Sequence, residues 1–242
     1  SIHFNLVAGN DQLIFTDAVN DPYTDSRMDF MLSENQAAVD AIIGSSGYDI
    51  GHVLGTAGGG VAYLGVTCHP TYKAGGVSGT GAAVSAYTTM VTAHEMGHQF
   101  DAGHTFNANS GACGGGNRMA EDAYEPGSGS TIMSYAGLCG AEQNLPGYNT
   151  MFHVVSFDEI IAYSRSGYGS TCGSSSATTN APPVVAAGPD HTIPARTPFV
   201  LGGSGSDLDG DPLVYSWQQV DVGRVPISGT ATLAEALTDW GS

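Results

Sequence analysis

The sequence predicts a mixed α/β fold of the α+β type, followed by a smaller β-sandwich module. Two segments with helix-capping signals alternate with short apolar, strand-like runs in the first two thirds of the chain. Residues 173–183 have the composition of a linker, and short alternating runs with Pro and Gly punctuation follow them. We therefore expect one larger domain at residues 1–172 and a partial module at residues 184–242.

Strands are predicted where short apolar or aromatic runs end at turn-forming residues. They are residues 2–7, 12–16, 48–54 and 61–66, and Tyr215 to Trp217 in the C-terminal module.

Three helices are predicted from capping signals and apolar periodicity. They run from a capping box at Ser33 to Gly44, over residues 85–100, and from a second capping box at Ser156 to near Gly167. The Gly-rich stretch 105–146 is far longer than an ordinary connection, so we expect an ordered functional loop there.

The charge of the chain disfavours two classes of partner. Six Lys and Arg stand against 23 Asp and Glu, for a formal net charge of −17. Without a basic footprint, binding to nucleic acid or to an anionic membrane surface is disfavoured. No apolar run reaches the length of about 20 residues that a membrane span needs.

Four widely spaced cysteines, without a C-x-x-C pair, favour two disulfides in an oxidising compartment over a zinc ribbon or a redox site. The chain begins on a strand-like run with no visible leader segment. A processed, secreted protein accounts for both features.

The pattern His94-Glu95-Met96-Gly97-His98, with His104 six residues later, carries the chemistry. Histidines four apart on a helix project on one face and can bind a single zinc ion, and His104 adds a third nitrogen. The intervening Glu95 can accept a proton from a water that the metal activates. The alternative is an ordinary solvated or core histidine pair.

Other catalytic arrangements have less support. A thermolysin-like site needs a glutamate ligand on a second helix, whereas Glu121 and Glu125 fall in the Gly-rich loop. Serine catalysis lacks a G-x-S-x-G elbow, and cysteine catalysis lacks an unpaired cysteine. The other histidines are isolated; His69 and His153 remain candidates for lining a cleft.

The histidine motif, together with Ile132-Met133-Ser134-Tyr135, resembles the metzincin metallopeptidases, whose H-E-x-x-H-x-x-G-x-x-H pattern precedes a methionine-containing turn. The run from Gly60 to Cys68 looks like the active-site edge strand of the reprolysin branch. The run from Tyr124 to Met133 is similar to the approach to the Met-turn in secreted bacterial reprolysin-like proteases. The likeness covers most of residues 1–172.

The resemblance implies a secreted zinc endopeptidase acting on protein or peptide substrates, as a monomer. His94, His98 and His104 would be ligands of one catalytic zinc, with Glu95 as general base. Met133 would pack beneath the metal. Tyr135 stands where related families place a tyrosine that reaches the metal or the reacting oxygen; its alternative is a buried structural tyrosine.

The resemblance also implies a substrate-binding strand and two disulfides. An extended peptide would pair with the free edge formed by Val61, Ala62, Tyr63, Leu64 and Gly65. The disulfides would join Cys68 to Cys172 and Cys113 to Cys139.

Two features depart from the family pattern. The motif glycine is Asp101 here, with a glycine instead at Gly103. Asp tolerates positive φ better than most residues, at a strain of about 1–2 kcal/mol. The usual first strand and first helix also have no counterpart before Ser1, as if cleaved off or lying outside this sequence. A non-catalytic binding or adhesion protein on a degenerate scaffold is therefore the competing hypothesis, and Asp101 is its support.

Residues 204–211 of the C-terminal module resemble a loop of PKD and related Ig-like domains. Asp207, Asp209 and Asp211 alternate in a way that can offer oxygens to calcium, but the closing glutamate of an EF-hand loop is missing. A plain acidic turn is the alternative to this calcium site.

Overall fold

A computed structural model describes residues 1–81, 83–143 and 148–223. Its larger part is built on a three-stranded sheet of order β1-β3-β2, with β1 at Val53–Gly55, β2 at Gly60–Ala62 and β3 at Gly76–Gly79. Strand β3 is parallel to β1 and antiparallel to β2. The mixed sheet with its helices confirms the predicted α+β class.

Two helices cover this sheet, α1 at Met28–Ile42 and α2 at Ala86–Gln99. Val77 in β3 packs with Met31 and Leu32 of α1. Its neighbour Gly76 lies against Gln99 of α2, so closely that a Cβ there would meet the Gln99 side chain at 2.4 Å. Successive strand residues face opposite sides, so α1 and α2 lie on opposite faces of the sheet.

The central strand β3, with the sequence Gly-Val-Ser-Gly, was not among the strands predicted from the sequence. All four of its residues are buried. A Cβ on Gly79 would meet the Ala57 carbonyl oxygen at 2.1 Å. The glycines are therefore present because neighbouring groups approach this backbone closely, and strand propensity alone does not detect that.

The two predicted N-terminal strands are wrong. Residues 10–13 form a 3-10 helix, and no strand occurs over residues 1–27. The apolar side chains of this run, including Phe4 and Leu6, are largely exposed. Without a neighbouring strand to pair with, an apolar run has no reason to extend as a ladder.

The first helix was predicted to begin six residues too late, with Ser33 as its N-cap where the structure has Arg27. It begins at Met28 and ends near Gly44, which has φ +86° as expected after a helix end. The Ser33 hydroxyl donates to the Phe30 carbonyl inside the helix instead of capping it. Ser33 thus lies within the helix rather than at its start.

The last helix, α3, spans Val154–Arg165. Its N-cap is His153, whose Nδ1 accepts from the Val155 amide at 3.3 Å, so the predicted cap Ser156 lies in the first turn. Ile160 of α3 joins Phe100, Ala102, Ile132 and Met133 in the main hydrophobic cluster.

Over its described residues, 105–143, the long loop after α2 is irregular and packed around buried side chains, as predicted. Its buried side chains include Phe106, Ala108, Cys113 and Cys139, which form a second apolar cluster. The 3-10 turns Gly111–Cys113 and Gly140–Glu142 are the helical pieces in the described part of this loop.

The described part of the predicted C-terminal module, residues 184–223, contains two short antiparallel strands, β4 at Val184–Ala186 and β5 at Ser204–Ser206. The strand predicted at Tyr215 to Trp217 is absent, and the rest of the predicted sandwich, residues 224–242, lies outside the described residues. Gln218 and Gly223 bond to residues earlier in the chain. The Val154 amide donates to Gln218 Oε1 and the Gly223 amide donates to the Ala123 carbonyl, both at 2.7 Å.

Candidate metal centre

Helix α2 begins at a capping box formed by Ser85 and Thr88. The Ser85 hydroxyl accepts from the Thr88 amide, and the Thr88 hydroxyl accepts from the Ser85 amide at 3.1 Å. This pairing satisfies two amides that a helix start otherwise leaves unbonded. The buried face of the helix carries His94, Glu95 and His98.

The three histidines of the sequence motif converge at one point. The Nε2 atom of His104 lies 3.2 Å from Nε2 of His94 and 3.0 Å from Nε2 of His98. Two nitrogens at tetrahedral positions around zinc would lie about 3.3 Å apart, given Zn–N distances of about 2.0–2.1 Å. Among the described residues this is the group of three potential ligands whose donor atoms come together.

Backbone carbonyls assign the tautomer of each ring. Nδ1 of His94 lies 2.7 Å from the carbonyl oxygen of Ile132. Nδ1 of His98 lies at the same distance from the Ala102 carbonyl oxygen, and Nδ1 of His104 from the Asn117 carbonyl oxygen. A carbonyl can only accept, so each Nδ1 carries the hydrogen and each neutral ring turns an Nε2 lone pair inward. Three facing lone pairs repel one another unless a cation lies between them, so the residues fit a metal.

Burial keeps these rings neutral. It lowers the pKa of His94 and of His98, and it lowers that of His104 to about 3. For His94 and His104 the neighbouring histidines lower the pKa further. Neutral imidazole is the form that binds a metal.

Glu95 lies beside the histidines and is 5% exposed. Burial raises its pKa to about 8, and a dication bound at the histidines would favour its ionised form. A Cβ on Gly60 would meet Glu95 Oε1 at 2.4 Å. The absent side chain of Gly60 therefore lets the carboxylate lie against strand β2.

The turn that delivers His104 keeps its geometry with Asp101 in place of glycine. Asp101 has φ +73°. Its amide donates to the His98 carbonyl at 2.8 Å, and the Ala102 amide donates to the Gly97 carbonyl at 3.0 Å. These two bonds form a Schellman motif, the usual way in which a helix ends on a left-handed residue.

Gly103 serves close packing and not a special φ, since it is absent from the residues with positive φ. A Cβ there would meet Asp122 Oδ2 at 2.0 Å. The Gly103 amide donates to Glu159 Oε2 at 3.2 Å, and the Asp122 and Glu159 carboxyls hydrogen-bond to each other. Burial raises the pKa of both acids, so the pair retains a proton at neutral pH. The bond from Gly103 to Glu159 ties the turn to helix α3.

Met133 lies fully buried beneath the helix. A Cβ on Gly97 would meet Met133 Sδ at 2.5 Å, and the Met133 carbonyl accepts from the Thr105 amide at 3.2 Å. The glycine before the second motif histidine is thus the place where the methionine turn packs against α2.

Tyr135 lies against the histidines, its ring centroid 4.6 Å from that of His104 and 5.6 Å from that of His94. Burial, together with the nearby charge of Glu95, raises its pKa to about 12. The phenol therefore keeps its hydrogen at neutral pH and can donate a hydrogen bond.

A cleft of about 270 Å³ opens beside the histidines. Its lining includes Gly60, Glu95 and Tyr135 and the apolar side chains of Met90, Val91 and Leu138. Strand β2 is an outer strand of the sheet, and its first residue, Gly60, lines this cleft.

The edge strand is shorter than predicted, since β2 ends at Ala62 and Leu64 and Gly65 lie beyond it. The Tyr63 amide still bonds to the Gly75 carbonyl at 3.0 Å, but the Gly65 and Val66 amides donate to the His98 and Gln99 carbonyls. The strand stops because these amides satisfy the free carbonyls at the end of α2.

Both disulfides join the pairs that the resemblance implied. Cys68 is bonded to Cys172, which ties the segment after β2 to the chain beyond α3. Cys113 is bonded to Cys139 across the long loop, beside the cleft residues Ala112 and Leu138.

The remaining sequence candidates lie elsewhere. Glu121 is exposed, and Glu125 is buried and hydrogen-bonded to loop residues. Neither belongs to the group of potential metal ligands formed by the three histidines. His153 caps α3, and His69 packs against Tyr72 and Tyr168. Neither lines the described cleft.

The three aspartates of the calcium interpretation do not come together as a ligand group within the described residues. Asp207 Oδ1 accepts from the Asp209 and Asp211 amides, and Asp209 Oδ2 accepts from the Ala181 amide. The loop therefore has the form of an acidic turn, and the calcium interpretation gains no support from it.

Sequence reasoning missed residues that act through the backbone. Gly60 was visible only as the first residue of the predicted edge-strand run, and Gly97 only as a glycine inside the helical motif. The carbonyls of Ile132, Ala102 and Asn117 leave no signal in side-chain identity. An unexplained glycine inside a helix or strand is the one available sign of such close approach.

Comparison with known proteins gives one match. Residues 1–161 match the family described as metallo-peptidase family M12B, reprolysin-like. No curated protein and no solved structure matches the chain. None of the helices in the described ranges is long and apolar enough to cross a membrane.

Proposed function

The chain belongs to the reprolysin-like M12B metallopeptidases, and on that premise we propose that it is a zinc-dependent endopeptidase with Glu95 as its general base. The family assigns a peptide hydrolase in general. The endopeptidase activity, the metal and the residue roles are our proposal.

One observation carries the proposal, which is the orientation of the three histidine rings. Each ring donates from Nδ1 to a backbone carbonyl and turns Nε2 toward the other two. Three imidazole nitrogens with a fourth position open are the donor set of catalytic zinc sites. Backbone carbonyls that orient the rings are the usual outer partners of such ligands.

When bound, zinc supplies a Lewis acid that polarises the scissile carbonyl and lowers the pKa of the attacking water. Glu95 accepts the proton of that water as it attacks the carbonyl carbon. It then donates this proton to the leaving amine nitrogen as the C–N bond breaks. Its place beside the histidines and in the wall of the cleft supports both steps.

Tyr135 is proposed to donate a hydrogen bond to the carbonyl oxygen as negative charge develops on it. Its position against His94 and His104, and the raised pKa that keeps its hydroxyl protonated, support this role. A donor aimed at developing charge accelerates acyl transfer more than one aimed at the ground state.

The substrate is proposed to be an extended segment of a polypeptide. The free edge of β2 offers backbone groups to pair with it, and Met90, Val91 and Leu138 form an apolar wall for one of its side chains. An aliphatic or aromatic residue next to the scissile bond suits this wall.

A secreted, monomeric protein remains our proposal for location and assembly. The two disulfides support an oxidising compartment. The C-terminal residues are proposed to belong to an Ig-like module, which the β4–β5 pair supports only as far as two strands.

The proposal can be tested by measuring casein cleavage by the wild type, with and without a zinc chelator, and by the Glu95→Gln variant. The wild type is expected to contain about one zinc per chain and to lose cleavage with the chelator. Glu95→Gln keeps the size of the side chain but is a far weaker base, so kcat should fall by at least about 100-fold with zinc retained.

Glu121→Gln, a change at an exposed glutamate of the long loop, is the control and should leave cleavage unchanged. Zinc without chelator-sensitive cleavage in the wild type would favour the non-catalytic alternative. Full activity in Glu95→Gln would remove Glu95 from the role of base.

A further inference from the structure

Glu125 is a buried acid that the proposed chemistry does not use. It is 7% exposed and lies in the long loop between His104 and Met133. Its amide donates to the Thr105 carbonyl at 2.7 Å, and its carbonyl accepts from the Asn107 amide at 2.9 Å. These bonds fix its backbone alongside the segment that follows His104.

The Glu125 carboxylate is surrounded by donors. Oε1 accepts from the hydroxyls of Thr105, at 2.6 Å, and Thr131. Oε2 accepts from the amides of Ser130, at 2.7 Å, and Thr131, at 3.1 Å. A carboxylate that accepts several charge-assisted bonds in a buried place is held more strongly than a neutral group would be.

The loop is shaped around this side chain. Gly129 has φ +64°, and a Cβ there would lie 3.0 Å from Cβ and Cδ of Glu125. The chain therefore passes around the carboxylate with no room for a side chain at the bend. The bend is what turns the Ser130 and Thr131 amides toward Oε2.

The partners of Glu125 lead directly to two of the three histidines. Thr105 follows His104 in the chain. Thr131 precedes Ile132, whose carbonyl accepts from His94 Nδ1 at 2.7 Å. One carboxylate thus joins the segment carrying His104 to the segment that orients His94.

We propose that Glu125 is a positioning residue, which holds the His104 segment and the Ile132 carbonyl at the spacing that metal binding needs. The inference rests on the proposed function, because it assumes a metal at the three histidines. Glu125 acts through Thr105 and Thr131 and touches neither the metal nor the substrate.

The test is Glu125→Gln, with Glu121→Gln as the matched control on the same loop. The Gln side chain has nearly the same shape as Glu, but its NH₂ group replaces one of the two accepting oxygens. The hydroxyls or amides that donated to that oxygen then have no acceptor. We expect zinc affinity, measured by chelator competition, to fall by about 10–100-fold. The absorption bands of the cobalt-substituted protein should shift, and kcat should fall with KM changed less than about threefold.

A second pair of variants keeps the test decisive if Glu125→Gln does not fold. Thr105→Val removes one donor to the carboxylate without changing its charge, and Thr105→Ser keeps the hydroxyl. Thr105→Val should weaken zinc binding and shift the cobalt spectrum. Thr105→Ser should keep the zinc affinity and the cobalt spectrum of the wild type.

Unchanged zinc affinity and an unchanged cobalt spectrum in Glu125→Gln, or in Thr105→Val if the first does not fold, would overturn the inference even if stability falls. That outcome leaves the proposed function standing, because the wild type would still bind zinc and cleave casein. A wild type that binds no zinc would instead remove the proposed function itself.

Discussion

Asp101 occupies the left-handed position at the end of helix α2, where the family pattern has glycine. Its φ of +73° and the two Schellman bonds show that the turn forms without glycine. Asp adopts this conformation more readily than most side chains, but at some strain. The support that Asp101 lent to a degenerate scaffold is therefore weakened.

The backbone strain can be measured by comparing Asp101→Gly with Asp101→Ala. Both variants lose the carboxylate, so the difference between them reports mainly the backbone. Asp101→Gly should be more stable than Asp101→Ala by about 1 kcal/mol, since only Ala is strained at positive φ. Urea unfolding of the zinc-free proteins measures this. Equal stability would show that the turn imposes no such requirement.

At the scale of elements, the paired acids Asp122 and Glu159 join helix α3 to the turn that carries His104. Glu159 reaches the turn through the Gly103 amide. Burial and the neighbouring Asp122 charge raise the pKa of Glu159, and burial raises that of Asp122. The charges of Asp101 and Glu121 act on Asp122 in the same direction. The contact is therefore strongest while the pair holds a proton.

This contact predicts a loss of stability on the alkaline side. An acid whose pKa is raised on folding binds more protons in the native state than in the unfolded one. The free energy of unfolding therefore falls as pH rises from the ordinary glutamate pKa of 4.5 through the raised value. Glu159→Gln imitates the protonated acid. Its free energy of unfolding should therefore fall less than that of the wild type between about pH 5 and about pH 9.

Urea unfolding of the zinc-free wild type and of Glu159→Gln across this pH range measures the difference. Asp158→Asn, at an exposed neighbour on the same helix, is the control and should follow the wild type. Parallel curves for Glu159→Gln and the wild type would show that the pair does not titrate as proposed.

Elements were predictable to different degrees. Helix α2 was predicted almost to the residue, because its apolar spacing is a local signal. Strand β3 was missed because its glycines are selected by contacts with Gln99 and Ala57, which are distant in sequence. The strands predicted at residues 2–7 and 12–16 failed because an apolar run becomes a strand only beside another strand.

At the scale of the whole molecule, the two disulfides close loops of very different length. Cys68 and Cys172 are 104 residues apart, and Cys113 and Cys139 are 26 apart. The longer loop restrains the unfolded chain more, whereas the shorter one lies beside the cleft. Stability and activity should therefore depend on different disulfides.

Removing each bond by paired Cys→Ser changes separates these effects. Loss of Cys68–Cys172 should lower the free energy of unfolding by about 4–5 kcal/mol, and loss of Cys113–Cys139 by about 3–4 kcal/mol. Loss of Cys113–Cys139 should lower kcat/KM more than loss of Cys68–Cys172, since Ala112 and Leu138 line the cleft. Unfolding and casein cleavage below the unfolding range of both variants measure this. The opposite ranking of activity would contradict it.

The sequence by itself determined the helix that carries His94 and His98, the third histidine and the α+β class, because these depend on spacing along one chain and on caps. The methionine turn was predicted from the resemblance of residues 132–135 to a family motif. The tertiary structure alone decided the tautomers of the rings, the packing of Gly60 and Gly97, the bonding of Glu125 and the extent of strand β2. Each of these depends on a backbone carbonyl or amide brought from a distant segment. The identity of a side chain records its own chemistry, but it does not record which backbone group will lie against it.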